Sequence, residues 1–125
     1  RPSMSTLKVT NIQATGETAS RAVSGVAAAW ADANGTGTVS MDDSFNISSM
    51  DDDGTGDYGF NFTSSFASTA YCPQATGRGD GTGEGSWCTS TRVPATSSCD
   101  IAYWNSSGTA QDQTALSWSA LGDLA

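Results

Sequence analysis

The side chains able to do chemistry here are carboxylates, aromatic rings and the thiols of Cys72, Cys88 and Cys99; histidine is absent. Without imidazole there is no Ser-His-Asp or Cys-His catalysis and no histidine metal site. No glycine-rich phosphate loop is followed by a lysine. The cysteines lack the paired spacing of a zinc site, and an odd number cannot all pair within one chain. One bridge with a free thiol, or three buried thiols, both fit. Acids such as Asp80 and Glu84 supply material for a glycosidase-type pair. Most other acids fall in predicted turns, where solvation keeps them ordinary. The expectation is a protein that is not an enzyme and uses no cofactor.

Two short runs carry binding chemistry. Asp51-Asp52-Asp53-Gly54-Thr55-Gly56-Asp57 places Asp51, Asp53 and Asp57 where carboxylate oxygens can meet Ca²⁺. The run lacks the distal glutamate and flanking helices of an EF-hand, so a solvated hairpin tip is expected. Acids there also discourage edge-to-edge pairing. Arg78-Gly79-Asp80 matches the tripeptide of integrin ligands and sits in a glycine-rich stretch, residues 77–85. Asn46-Ile47-Ser48, Asn61-Phe62-Thr63 and Asn105-Ser106-Ser107 fit the glycosylation pattern. Trp87, Tyr103, Trp104 and Trp118 gather in the C-terminal third. Indole faces stack on sugar rings and anchor interfaces at low entropy cost. With aliphatic residues scarce, Trp118 is expected in the core, whereas Trp87 borders the glycine loop. The candidate contacts are Arg78, Asp80, Trp87 and Trp104.

The elements that must position these groups read as strands. Leu7, Val9 and Ile12 punctuate an extended segment, a candidate assembly arm. Met4 reads as a native start, with residues 1–3 as an appendage; no apolar leader core is visible. Residues 23–32 contain helix-favouring alanines, but Val26, Ala28 and Trp30 alternate and Asn34-Gly35 signals a turn, which favours a strand. Residues 36–41 would be its return strand. Phe45, Ile47 and Ser49 alternate with polar residues, as do Tyr58, Phe60 and Phe62 across the Asp/Gly run, so a β-hairpin is expected. Further strands are expected at 71–76, 87–93, 98–104 and 114–121. About eight strands in one domain predict an all-β fold, an antiparallel β-sandwich or jelly-roll-like domain. Residues 1–13 form the arm and 14–125 the sandwich.

Charge and composition narrow the partners. Thirteen acidic residues against five basic ones give a net charge of −8. Such a surface repels phosphate backbones and anionic lipid, so no nucleic acid partner and no membrane insertion are expected. Leu, Ile, Val and Phe together fall below the ~20% that, with high charge, flags disorder. Four Trp and three Tyr offset this with large burial per residue. A thin core with real strands points to burial completed against copies of the same chain.

Gly35-Thr36-Gly37-Thr38-Val39, Asp43-Ser44-Phe45-Asn46-Ile47-Ser48-Ser49, Asp53-Gly54-Thr55-Gly56-Asp57-Tyr58 and Phe60-Asn61-Phe62-Thr63 resemble a repeated pattern in virion proteins of tailed phages and prophages. The resemblance runs from residue 4 to 123 and is dense at 26–63. The chain departs from it at Asp51-Asp52-Asp53 and at the glycine loop. The resemblance implies a β-sandwich-like module, usually a homotrimer, displayed on a virion. It implies a tail-fibre or spike module that contributes to host attachment, with loops 77–85 and 105–113 as contact surface. Partners would be other virion proteins and a host cell-surface glycan or protein. The alternative it allows is a head-decoration, cement or connector protein, with Leu7, Val9 and Ile12 inserted into a neighbour.

Overall fold

The computed structural model describes residues 5–13, 15, 21–78, 88–92 and 94–125; for Arg21, Ala22, Ser24, Arg78 and residues 88–90 it describes the backbone only. The predicted all-β fold is what forms. A small ribbon pairs β1 (Asn11–Ile12) with β2 (Arg21–Ala22), and a 3₁₀ turn follows at Val23–Gly25. Two four-stranded antiparallel sheets make the sandwich. The first runs β4 (Ser40–Phe45), β3 (Ala27–Asn34), β10 (Ala115–Leu121), β7 (Cys72–Arg78). The second runs β5 (Ile47–Gly54), β6 (Asp57–Phe62), β9 (Ser98–Trp104), β8 (Cys88–Arg92).

Two crossings between the sheets are matched. The chain leaves β6 for β7 and leaves β9 for β10, while β6 neighbours β9 and β7 neighbours β10. Each sheet therefore contains one strand of each crossing, and the two connections join neighbouring strands of one sheet to neighbouring strands of the other. Pro73 is accommodated because β7 is an edge strand, where a missing N–H costs no ladder bond. Two of the other three edge strands, β4 and β5, carry Asp42, Asp43 and Asp51–Asp53. Charge at an open edge resists pairing with a stray strand.

Period-2 alternation decides what is inside. From the first sheet come Ala29, Ala31, Ala33, Leu116, Trp118 and Ala120; from the second come Tyr58, Phe60, Phe62, Cys99, Ile101 and Tyr103. Small alanines in one sheet face large rings from the other. Trp118 lies 5.6 Å, centroid to centroid, from both Phe60 and Phe62. Phe62 meets Phe66 edge-on at 5.1 Å, and Phe66 stacks on Tyr71 at 4.3 Å. Each buried large side chain is worth roughly 1.5–3 kcal/mol. Aromatic rings thus do the work for which aliphatics are too few.

Three expectations need correction. The strand after the Asn34-Gly35 turn does not run 36–41 but Ser40–Phe45, so Phe45 belongs to β4 and not to the following hairpin. Asp51, Asp52 and Asp53 lie in β5 and not at its tip; the turn is Thr55-Gly56. The strand expected over 23–32 runs Ala27–Asn34, after the 3₁₀ turn, and its core residues are Ala28, Ala29, Ala31 and Ala33, with Trp30 on the outer side. The rings of Phe60 and Trp118 leave room only for methyl groups there.

Candidate functional site

β9 ends in a surface depression framed by a turn. Its inward residues Cys99, Ile101 and Tyr103 are fully buried. Alternation then turns Trp104 outward, where it is half-buried. The segment that follows is a braced turn. Asn105 N–H donates to Thr109 O at 2.9 Å and Gly108 N–H to Asn105 O at 3.0 Å. The Asn105 Oδ1 accepts from the N–H groups of Ser107 and Thr109, both at 2.9 Å. Gly108 adopts φ 77°, a left-handed conformation that suits glycine. A bridge from Ala110 back to Trp104 and a bond from Gln111 N–H to Tyr103 O at 3.1 Å close the loop on the strand.

Trp104, Asn105, Ser106 and Gly108 line a shallow, mostly apolar depression of about 370 Å³. Among the described residues no carboxylate lines it. A half-buried indole beside a fixed turn can stack on the apolar face of a flat ring and offer amide and hydroxyl groups at its rim.

The second cluster covers the outer side of the second sheet. Asp51 and Gly59 are ladder partners, as are Gly59 and Asp100. A Cβ on Gly59 would stand 3.2 Å from Asp100 Oδ1 and 3.4 Å from Asp53 Oδ2, so the bare glycine lets the two carboxyl groups lean over it. Partial burial, then the nearby charges of Asp53 and Asp57, push the Asp100 carboxyl above the ordinary range. Arg92 donates through Nη2 to Asp57 Oδ2, and Asn61 Nδ2 donates to Asp51 Oδ2 at 2.7 Å. Among the described residues no group of three or more His, Cys, Asp or Glu can hold a metal ion. Asp51, Asp53 and Asp57 therefore do not assemble into the Ca²⁺ site their spacing suggested. Two of them are occupied by Asn61 and Arg92.

The remaining sequence candidates are dispersed. Arg78 ends β7 opposite Ala115, its side chain outside the description. Asp80, Glu84 and Trp87 lie outside the described residues. Trp104 pairs with Cys88 across the ladder. Leu7, Val9 and Ile12 are all exposed, and Ile12 is held in the β1–β2 ribbon. Trp118 and Tyr103 belong to the core. Cys72 is exposed and Cys99 buried, and both are unbridged. Of the glycosylation-pattern asparagines, Asn46 is fully engaged: its Nδ2 donates to Ala28 O and Ser64 O, and its Oδ1 accepts from Ser64 N–H.

Sequence reasoning missed Gly59, Asp100 and the Asp57–Arg92 pair. Register between distant strands creates them, and only the alternation of Asp100 against Cys99 and Ile101 signals an outward acid. No family model, no curated protein and no solved structure matches the chain.

Proposed function

We propose that the chain is a non-enzymatic virion module, part of a tail fibre or spike, that helps hold a host-surface glycan against Trp104. The observation that carries this reading is the half-buried, outward-facing Trp104 beside an open depression framed by a hydrogen-bonded turn. Stacking sites for sugars need this pairing of a flat apolar face with a rigid polar rim. The resemblance at residues 26–63 supports the virion setting. The test is retention of the purified chain on host cells and on their extracted surface polysaccharide. Trp104→Ala is expected to weaken retention by at least about tenfold while leaving the circular dichroism unchanged. Equal retention by the variant, or release of sugar from the polysaccharide, would reject the reading.

A second reading rests on a separate observation. Leu7 is 83% exposed in a segment that belongs to no strand, where an apolar side chain gains nothing from water. An arm of this kind suits a cement or connector role. Removing residues 4–13 should abolish incorporation into particles and leave retention on host cells intact.

A further inference from the structure

The outer side of the first sheet carries two neighbouring rungs of opposite character. Trp30 and Phe45 are direct ladder partners, and Phe45 is 53% exposed. Two residues along each strand, about 6.8 Å away, Asp32 faces Asp43. Both acids point outward, because Ala31 and Ala33 on either side of Asp32 are in the core. Like charges placed directly opposite on one face of a sheet repel. Among the described residues no cation is bonded to either acid. Asp32 Oδ1 accepts only a long contact of 3.4 Å from Ser117 Oγ, and Asp43 Oδ1 accepts from the neighbouring Ser44 N–H at 2.8 Å.

The described arm has the complementary pattern. Leu7, Lys8 and Val9 follow one another in an exposed segment that belongs to no strand. Lys8 is the lone lysine of a chain with net charge −8. The lysine stem can lie along apolar surface while its ammonium turns to a carboxylate. The arm does not cover its own sheet, since Leu7 and Phe45 both remain exposed in the same protomer.

We infer that the Trp30–Phe45 rung is the docking place for the arm of a second copy of this chain, with Leu7 and Val9 against the rings and Lys8 between Asp32 and Asp43. This rests on the second reading above, and it names where the arm goes. Arm and face are different surfaces, so the contact is heterologous, and the rotation between copies sets whether it closes as a ring or continues as an open chain. Aromatic anchors beside a neutralised charge pair are the usual centre of such interfaces.

The test is the mass of the full chain by sedimentation and light scattering at about 0.15 M salt, where the Debye length is ~8 Å and general repulsion between acidic copies is damped. The wild type is expected at a multiple of its 12.8 kDa protomer mass. Lys8→Glu and Asp43→Lys should each weaken association by about tenfold or more. The double variant, which restores opposite charges across the contact, should recover it. Phe45→Ser should dissociate the assembly with unchanged circular dichroism. A wild type that stays a single protomer at every concentration overturns the inference. So does a double variant no better than the singles. Loss of association on deleting residues 5–9, with Lys8→Glu and Asp43→Lys both silent, overturns this docking place yet leaves an assembly arm standing. Expected charge-swap behaviour in a protein that never enters particles upholds the docking and rejects the cement role.

Discussion

The hydroxyl of Tyr58 donates to the carbonyl oxygen of Gly35 at 2.7 Å, and its ring occupies the space a side chain on Gly35 would need. The same hydroxyl accepts from Gln113 N–H at 3.2 Å, and Gly35 N–H donates to Gln113 O at 2.9 Å. Asp112 Oδ1 adds a bond from Gly56 N–H at 2.7 Å. One end of the sandwich is thus tied by three segments remote in sequence. A Cβ on Gly35 would fall 2.5 Å from Tyr58 Cζ. Gly35→Ala is expected to destabilise by about 1–3 kcal/mol through overpacking, and Tyr58→Phe by about 1–3 kcal/mol through unpaired buried groups. Urea unfolding should show a lower midpoint with an unchanged slope. An unaltered midpoint for Gly35→Ala would contradict the contact.

Asn46 turns the chain from β4 into β5 with φ 58°, and its amide binds Ala28 O, Ser64 O and Ser64 N–H. Two variants separate backbone strain from the lost bonds. Asn46→Gly accepts the conformation and loses only the bonds, at about 1–3 kcal/mol. Asn46→Ala adds the left-handed penalty of roughly 1–2 kcal/mol. The ordering Asn, Gly, Ala in melting temperature is the measurable outcome; Ala equal to Gly would remove the strain argument.

All three tyrosines resist ionisation. Burial, the largest cause in each, pushes Tyr58 up to about 12 and Tyr71 and Tyr103 higher still. The unfolded chain ionises its tyrosines near ~10. A raised native value means that the native state holds these protons while the unfolded state releases them. Their stabilising effect is therefore complete below ~10 and is lost as pH climbs through the native values. Tyrosinate absorbance should stay flat past the ordinary range and then rise in one cooperative step together with loss of tertiary dichroism. A gradual rise beginning near ~10 in a still-folded protein would show that a ring is open to water.

The alanine row of β3 is a volume constraint. Ala29, Ala31 and Ala33 are at most 2% exposed, under the aromatic cluster. Ala31→Leu is expected to cost about 1–3 kcal/mol from overpacking. Ser117→Ala, on the outer side between two core residues, should stay within about 0.5 kcal/mol. Calorimetric melting of the two variants checks the contrast; equal melting would place Ala31 outside the core.

Strand class and number were legible because alternation and Asp/Gly turns are local signals, and the hairpin of Tyr58, Phe60 and Phe62 carries both. The aromatic core followed from the scarcity of aliphatics. The Trp104 turn was legible too, since Asn105-Ser106-Ser107-Gly108 declares itself by residue type. The face of residues 27–34 was not. Alternation defines two faces, but which one is inside depends on the volume its neighbours leave, and only Trp118 on the adjoining strand and Phe60 from the opposite sheet make that an alanine face.

The sequence alone therefore determined a β protein of thin, aromatic core with a negative surface and no imidazole chemistry, because those follow from composition and short-range periodicity. The tertiary structure decided that Asp32 would face Asp43, that Asp53 and Asp100 would share the space above Gly59, and that Tyr58 would rest on Gly35. Each depends on the register between strands far apart in the chain, which is set by packing across the whole sandwich.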